Sequence, residues 1–469
     1  MVSSFNNILS FRMKLISNLL LILIPFSNSF AQHSDSIVVR KIYDEALLKG
    51  NGYKNLEYLC KKIGPRQNGS ENSKKAVDWV KKQMEQYGLD QISLQEVSLP
   101  VWLRGKKEKA YIIDNKEKID VPICALGNSL STPNGGITSE VIEVKDFREL
   151  KQLDTTFIKG KIVFFNQIFD PAIIETSDAY LKVLNQRLNG ASQAAKYGAV
   201  GVIIRSLTPS IDNLPHTGIV EYDVALPKIP VAAISTKAAE DLSKRLQQRK
   251  LPTVKFHFEQ KCETLSNQTG HNVIGEIKGE KQNEVILLAA HLDSWDLGEG
   301  AHDDGVGCIQ ILETLRIFKK LGFKPKHTIR VVMFADEENQ LSGAKKYAEI
   351  AAKKSAETYI AALETDLGGF TPRGFTIDTQ QKSLQEIEEW SSIFRQYGAD
   401  KFVKKETKGS DIHWLRNHNT ILIDYKPDTQ RYFDIHHTAL DTFEQVNKRE
   451  LELGTASIAA LVYLIDKTQ

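Results

Sequence analysis

The sequence predicts an α/β protein built on a mixed, mostly parallel sheet with helices on both faces, into which a separate β-rich module is inserted. In the C-terminal half, apolar runs of strand length alternate with amphipathic helical patterns, which is the order that produces parallel βαβ units. The middle of the chain instead has short β-branched runs between loops rich in glycine, proline and aspartate. A chain of 469 residues exceeds what one hydrophobic core usually fills, so we expect two domains.

The composition is that of a soluble globular protein. Apolar residues make up 41% and charged residues 26% of the chain, and 61 Lys+Arg against 59 Asp+Glu leave a net charge of +2. The sequence has no long basic block and no interleaving of basic and aromatic residues, so we expect no nucleic-acid partner. The four cysteines form no Cys-x-x-Cys pair, which argues against a thiolate metal site. We predict no particular disulfide between Cys60, Cys124, Cys262 and Cys308.

The N-terminus has the order of an export signal. Arg12 and Lys14 precede the apolar run Leu15–Phe26, and Ser29 and Ala31 are small at the two positions that a signal peptidase reads. The run is short for a transmembrane helix, and no cysteine follows it to carry a lipid. We therefore predict a signal peptide over residues 1–31, cleavage near Ala31 and export to the periplasm or the medium without a stable membrane anchor. The alternative is a buried N-terminal helix.

Residues 32–120 are predicted to form the first part of the main domain. Helical spacing of apolar residues runs to about residue 88, with Ser70 placed as an N-cap. Strand-like segments follow near Ile92–Leu103 and Ala110–Ile113.

Residues 121–255 are predicted to be the inserted module. Three short apolar runs stand out there, namely Ile162–Phe165, Gly201–Ile204 and Val231–Ile234. Candidate ligands are not clustered in this stretch. The main domain is predicted to resume at residue 256 and to continue to residue 469.

Four apolar runs in this second part end where polar residues with ligand or acid–base chemistry begin. The runs are Glu284–Ala290, Thr328–Ala335, Tyr359–Leu363 and Thr420–Asp424. The polar segments that follow them are His291–Asp304, Asp336–Glu338, Glu364–Asp366 and, further along, His436–His437. Because the carboxyl ends of parallel strands meet at one edge of a sheet, we expect these groups to share one site. Between the first two runs, Gly305–Leu321 has the pattern of an amphipathic helix closed by Gly322.

Each of these polar groups, taken singly, is more often a satisfied core histidine, a solvated acidic loop or a surface turn. Their conjunction favours a metal site, because two histidines and three carboxylates at strand ends supply what two zinc ions sharing a bridging carboxylate and a water need. Glu337 and Glu338 are adjacent and cannot easily bind the same metal. One as ligand and the other as general base is the natural division.

Five ordered motifs carry a resemblance to a known family. The motifs are HLDSWD, GAHDDGVG, ADEEN, ETDLGG and HHTALDT. They resemble those of the co-catalytic zinc exopeptidases, the family that includes aminopeptidase Y and carboxypeptidase Q, and within it they resemble the carboxypeptidase Q members in particular. The resemblance covers essentially the whole mature chain, since IKGKIVFF, AAKYGAVGVIIR and KIPVAAIS are similar to the protease-associated domain inserted at the same place. It implies the zinc exopeptidase fold.

The resemblance also implies a ligand set for two Zn²⁺ ions. His291 and Asp366 would bind one zinc, Glu338 and His437 the other, and Asp303 would bridge them. Glu337 would be the general base that activates a water shared by the two ions. The family's peptide bond between Asp303 and Asp304 is cis.

Neighbouring residues are predicted to support the ligands. By the resemblance, Asp293 orients His291 through its other ring nitrogen; from spacing alone, Asp441 is predicted to do the same for His437. Aminopeptidases of this group usually place a tyrosine before the last ligand, where its hydroxyl assists the oxyanion. This chain has His436 there, which becomes the candidate donor.

The substrate site is predicted from weaker signals. Ser410 and Asp411 lie in a loop that resembles a pocket-lining loop of these enzymes, although an N-cap role suits Asp411 nearly as well. Trp295 is a candidate pocket wall or, equally, a packed core aromatic.

The resulting functional prediction is an exported di-zinc metallo-exopeptidase that hydrolyses small peptides, in particular dipeptides with free termini. The resemblance further implies a homodimer. Two alternatives stay open: a glutaminyl-cyclase-like transferase, which shares the fold but uses one zinc, and a non-catalytic, receptor-like binding protein.

Overall fold

The structure is a computed structural model that describes residues 34–115, 117–248, 254–353, 356–380, 382, 384–416 and 420–468. The predicted signal peptide, residues 1–31, lies outside the described residues. Within them, no helix is long and apolar enough to cross a membrane. All four cysteines are free thiols, and Cys60, Cys124 and Cys308 are buried.

The helices and strands are numbered here in chain order. The helices are α1 (34–49), α2 (Gly52–Tyr58), α3 (Glu71–Gln86), α4 (Phe147–Gln152), α5 (Thr155–Ile158), α6 (Thr176–Leu188), α7 (Gly190–Ala195), α8 (Thr236–Gln247), α9 (Val306–Leu321), α10 (Ser342–Lys353), α11 (Leu384–Phe394), α12 (Tyr432–Ile435) and α13 (Lys448–Thr468). Short helical turns of other types lie at Leu59–Ile63, Ala301–Gly305, Arg395–Tyr397, Ile412–Leu415, Thr429–Arg431 and Phe443–Gln445. The strands are β1 (Gln91–Arg104), β2 (Lys109–Asp114), β3 (Glu117–Asp120), β4 (Ile123–Ala125), β5 (Ile137–Val144), β6 (Ile162–Phe165), β7 (Gly201–Arg205), β8 (Val231–Ile234), β9 (Lys255–Glu259), β10 (Cys262–Ile277), β11 (Lys281–His291), β12 (His327–Phe334), β13 (Thr358–Glu364), β14 (Pro372–Asp378), β15 (Lys401–Lys404) and β16 (Ile421–Pro427).

The main sheet has eight strands in the order β1-β10-β12-β11-β13-β16-β14-β15. Its centre is parallel, because β11 pairs in parallel with β12 and β13, and β13 with β16. Antiparallel pairs lie on both sides of that centre, at β1 with β10, β10 with β12 and β14 with β16. The predicted mixed α/β sheet is therefore confirmed.

Strand β11 is buried on both faces, as its continuous apolar run predicts. Alternate residues point to opposite faces of a strand, and here each set enters a different hydrophobic cluster: Ile286, Leu288 and Ala290 on one face, and Val285, Leu287 and Ala289 on the other. The first cluster includes side chains of α9 and α13, and the second includes side chains of α10. Helices thus cover both faces of the sheet.

Two sequence signals for helix ends are confirmed. The Ser70 hydroxyl accepts a hydrogen bond from Ser73 N at 3.1 Å at the start of α3. Gly322 ends α9 with a φ of 67°, in the left-handed region that glycine adopts readily.

The second sheet has the order β3-β2-β9-β5-β6-β7-β8-β4. Its strands lie between Lys109 and Glu259, beyond the predicted module of residues 121–255, because β2 and β3 pair into the same sheet with β9. Residues 109–259 are called the insert below. Parallel pairs join β5, β6, β7 and β8, and antiparallel pairs add the other strands. Helices α4 to α8 belong to the insert, so it is itself an α/β layer.

The core of the insert continues into the main domain. Phe370, Tyr432, Phe433 and Ile435 are buried in the same cluster as side chains of α6 and α7. The rings of Tyr180 and Phe433 stack at a centroid distance of 4.7 Å. The insert therefore packs directly on the chain segment that leads to His436 and His437.

Candidate functional site

The candidate ligands lie at one edge of the main sheet. Strand β11 ends at His291, β12 ends just before the segment Asp336–Glu338, and β13 ends two residues before Asp366. Helix α12 follows β16 and ends just before the two adjacent histidines. Because β12, β11, β13 and β16 are parallel neighbours, their carboxyl ends bring these groups together, as predicted.

The first histidine faces two carboxylates. His291 Nε2 lies 3.1 Å from Asp303 Oδ1 and 3.3 Å from Asp366 Oδ1. Its donor atom and those of the two carboxylates lie within 4.8 Å of one another. His291 is buried, so this group is a compact set of one imidazole and two oxygen donors.

The second histidine faces the other side of the same aspartate. His437 Nε2 lies 3.2 Å from Asp303 Oδ2 and 3.1 Å from Glu338 Oε2. Asp303 thus directs one oxygen to each histidine, which is the arrangement of a shared carboxylate. The peptide bond between Asp303 and Asp304 is cis in the structure.

The donor set fits metal ions. Among the described residues, Asp303 Oδ2, Glu338 Oε1 and Asp366 Oδ1 are buried carboxylate oxygens without a hydrogen-bond partner. Leaving such oxygens unpaired is costly unless a cation compensates them. Imidazole nitrogens together with carboxylate oxygens are the ligands that zinc accepts.

The contacts between Asp303 and the two histidines determine the direction of their pKa shifts. Burial alone would raise the pKa of Asp303, but the neighbouring imidazoles of His291 and His437 hold it well below its usual range. Burial lowers the pKa of His437 in turn, and the neighbouring Glu338 and Asp303 carboxylates more than reverse this. The shared aspartate is therefore ionised, as a ligand must be.

Glu337 lies beside the ligands and lines the adjoining cavity. Burial raises the pKa of its carboxyl well above the ordinary value, opposed by His291 and reinforced by Asp366. A cavity-lining carboxyl with a raised pKa is poised for proton transfer.

Asp293 supports both the first histidine and the loop of Glu337. Its carbonyl oxygen lies 3.1 Å from His291 Nδ1, and its carboxylate lies 3.6 Å from the same nitrogen. The carboxylate also accepts hydrogen bonds from Glu337 N at 3.1 Å and Glu338 N at 3.3 Å. The structure thus places Asp293 at the ring nitrogen that faces away from the other ligands, where it was predicted.

Asp441 does not orient His437, and that prediction is wrong. Its carboxylate accepts hydrogen bonds from His302 N at 2.7 Å and Asp303 N at 3.2 Å, so it holds the turn that carries the shared aspartate. Burial raises the pKa of Asp441 to about 7. The Nδ1 atom of His437 instead lies 3.2 Å from the carbonyl oxygen of Thr217, a residue of the insert.

His436 lies against the second histidine. The two rings stack at a centroid distance of 3.6 Å, and His436 Nε2 lies 3.6 Å from Asp303 Oδ2. Burial, reinforced by His437, lowers the pKa of His436 well below its usual value. It is a neutral imidazole at the cavity wall.

A cavity of about 420 Å³ opens over the ligands, and the insert forms part of its wall. Side chains of the main domain that line it include Glu337, Ser410 and His436. Residues of the insert that line it include Tyr180, Leu181, Leu184, Arg187, Leu188 and Ile219.

Sequence reasoning missed these residues of the insert. Tyr180 and Arg187 lie within the ordinary amphipathic pattern of α6, and nothing in that pattern distinguishes them from core or surface positions. In the structure, Arg187 is buried, and its Nη1 donates to the Tyr180 hydroxyl at 2.6 Å.

Of the three residues predicted to contact the substrate, one lines the 420 Å³ cavity. Ser410 lines the cavity, and its backbone N donates to Glu364 at 2.9 Å. Asp411 is buried away from the cavity lining, and its side chain makes no N-cap hydrogen bond. Neither predicted role for Asp411 is therefore seen.

Trp295 is a packed aromatic and does not line the 420 Å³ cavity. It is 5% exposed, and its ring meets His437 edge-on at a centroid distance of 5.8 Å. It also packs over Gly127, where a Cβ would lie 2.1 Å from the indole. Of the two predicted alternatives, the structure thus favours the packed aromatic, which contacts His437.

Asp303 is shared by two histidines and two further carboxylates, and the group lies beside a cavity. This is the arrangement of a metal-dependent hydrolase site. The family model described as peptidase family M28 matches residues 272–462. Carboxypeptidase Q of Mus musculus is 33% identical over 418 residues, which cover 89% of this chain and 86% of the relative. Carboxypeptidase Q of Homo sapiens is 33% identical over 92% of this chain and 88% of the relative.

Solved structures agree. The crystal structure of a peptidase M28 precursor from Shewanella amazonensis SB2B is 30% identical, with a TM-score of 0.87 over 93% of this chain and 97% of that one. A zinc aminopeptidase from Bacillus subtilis has a TM-score of 0.62 at 21% identity, over 88% of this chain and 94% of that one. The chain belongs to peptidase family M28.

Proposed function

We propose that this protein is a di-zinc exopeptidase that hydrolyses small peptides, in particular dipeptides with free termini. The observation that carries the proposal is Asp303, whose two carboxylate oxygens face His291 and His437 beside the cavity. The relatives named carboxypeptidase Q are exopeptidases by name, and the Bacillus subtilis structure is that of a zinc aminopeptidase. These names support both the metal and the reaction class.

Each residue of the centre has a proposed role. One zinc would be held by His291 and Asp366, the other by Glu338 and His437, with Asp303 shared. Bound zinc supplies Lewis acidity, which lowers the pKa of a water and polarises the peptide carbonyl.

Glu337 is proposed to move the proton. It lines the cavity and is not needed as a ligand, so its carboxylate is available to take a proton from the attacking water. The resulting carboxylic acid then delivers that proton to the leaving amine, which restores the carboxylate.

His436 is proposed to stabilise negative charge on the carbonyl oxygen of the substrate. Its low pKa keeps the ring neutral, and a neutral imidazole donates one hydrogen bond without repelling nearby cations.

The cavity supports small substrates. Its volume of about 420 Å³ is near the lower end of the range for small-molecule sites. Ion pairs between the insert and the main domain close one side, with Glu175 to Lys426 at 2.9 Å and Asp178 to Lys408. A longer peptide would have to displace these contacts.

The proposal is tested with one dipeptide in three forms: free, N-acetylated and C-amidated. The free form alone should be hydrolysed by the zinc-loaded mature protein. Cleavage of the amide would instead indicate an aminopeptidase, and cleavage of the acetylated form a carboxypeptidase. If zinc binds and no form is cleaved, exopeptidase activity is rejected in favour of a cyclase or a binding protein.

Replacing His437 by alanine is expected to halve the zinc content. The change removes the imidazole that faces both Glu338 and Asp303, while the group around His291 keeps its donors. Metal analysis after dialysis should give about one zinc per chain instead of the proposed two. His413→Ala, at an exposed position, is the control and should keep both ions. Unchanged stoichiometry in His437→Ala would reject this residue as a ligand.

A further inference from the structure

Thr217, a residue of the insert, contacts His437 through both of its backbone polar groups. Thr217 N donates to the carbonyl oxygen of His437 at 3.0 Å. The carbonyl oxygen of Thr217 in turn lies 3.2 Å from His437 Nδ1. Thr217 and His437 are both buried, so water does not compete for these contacts.

The second contact selects a tautomer. A carbonyl oxygen can only accept, so it requires the hydrogen of a neutral His437 ring to be on Nδ1. That tautomer leaves the Nε2 lone pair free, and Nε2 is the atom that faces Asp303 and Glu338. The opposite tautomer would place a hydrogen on Nε2 and prevent metal binding there.

Another neighbour favours the opposite tautomer. Arg187 Nη1 lies 3.4 Å from the same Nδ1 atom, and a guanidinium can only donate. An acceptor at Nδ1 is therefore needed for His437 to be a ligand, and among the described residues the Thr217 carbonyl is in position to be that acceptor.

Thr217 is itself fixed by its side chain. Its hydroxyl donates to Ala125 O at 3.1 Å and accepts from Arg104 Nη2 at 3.0 Å. Arg104 is buried and pairs with Asp296 of the main domain, from Nε to Oδ2, at 2.8 Å. The hydroxyl thus connects Thr217 of the insert to an ion pair of the main domain.

We infer that Thr217 is a positioning residue for His437, which makes the insert a component of the metal centre in addition to a wall of the cavity. The inference rests on the proposed zinc centre. Thr217 acts on one proposed ligand, since it contacts His437, and among the described residues no hydrogen bond or ion pair of His291 involves the insert.

The test compares Thr217→Val with Thr217→Ser in the full mature chain. Valine keeps the shape and the backbone but loses the hydroxyl, so the carbonyl is no longer held in place; serine keeps the hydroxyl. Zinc dissociation constants are measured by chelator competition. In Thr217→Val, one of the two ions is expected to bind about 10-fold to 100-fold more weakly, the usual effect of losing a group that orients a ligand. Thr217→Ser should bind both ions as the wild type does.

A second readout follows the tautomer directly. In the zinc-loaded wild type, the imidazole nitrogen NMR spectrum should show His437 with a hydrogen-bonded hydrogen on Nδ1, and Thr217→Val should shift or lose that signal. A role of Thr217 in folding alone would not produce this change.

Thr132→Val is the matched control. Thr132 is also a buried threonine of the insert, and its hydroxyl contacts Gln260 O and N, each at 3.2 Å. It should leave zinc affinity unchanged. The inference is overturned if Thr217→Val binds both ions like the wild type, or if Thr132→Val weakens zinc binding equally. A wild type that binds no zinc would reject the proposed metal centre itself, which is a separate outcome.

Discussion

Glu337→Gln is expected to lower kcat for dipeptide hydrolysis by roughly 10²-fold to 10⁴-fold, the usual contribution of a general acid–base group. The amide has nearly the same size and polarity as the carboxylate, but it cannot take a proton. Glu337 is not among the proposed ligands, so zinc content should stay at the wild-type level. Steady-state kinetics on the free dipeptide and metal analysis of the same preparation measure both quantities.

The adjacent position provides the contrast. Glu338→Gln should reduce zinc content, because Glu338 Oε2 lies 3.1 Å from His437 Nε2 within the proposed ligand group. If Glu337→Gln keeps substantial activity, or if it loses zinc as Glu338→Gln does, the division of these two residues into base and ligand is wrong.

Asp303→Ala is expected to have the largest effect on the metal centre. It removes the one carboxylate that faces both histidines, so both ions should bind far more weakly and hydrolysis should fall to background. The change also leaves two buried imidazoles without their shared anionic neighbour. Zinc titration should detect fewer than one tightly bound ion per chain, against the proposed two.

Asp304→Asn is the neighbouring control for this change. The Asp304 carboxylate accepts hydrogen bonds from His291 N at 3.2 Å and Gly307 N at 3.0 Å, so it supports the backbone of the site. Its amide variant should lower the unfolding temperature but keep zinc. Retention of two tightly bound ions by Asp303→Ala would contradict the shared-carboxylate arrangement.

The central strands were predictable because both of their faces are buried. Strand β11 runs from Lys281 to His291 against the predicted Glu284–Ala290, and β6 and β8 have the predicted bounds. A strand covered on both faces shows an uninterrupted apolar run, which needs no knowledge of its partners.

The antiparallel strands of the main sheet were harder to predict from the sequence. Most of β10 (Cys262–Ile277) consists of partly exposed and exposed residues, so it shows no continuous apolar run. Its position is specified by antiparallel pairing with β1, in which Gln91 lies opposite Glu276 at one end and Arg104 lies opposite Cys262 at the other. A pairing across such a sequence separation leaves no local pattern.

The candidate ligand groups were predictable from local patterns, because each follows a buried strand and the parallel strands of such a sheet end at one edge. The adjacency of Glu337 and Glu338 predicted that one is a ligand and the other a base, and the family resemblance assigned which is which. The supporting contacts were not predictable in this way: Asp441 holds the turn of Asp303, and Trp295 packs against His437. Thr217 contacts His437 although the two residues are 220 positions apart in the chain. This contact uses a main-chain carbonyl, which every residue has, so only the packing of the insert on the main domain determines which carbonyl it is.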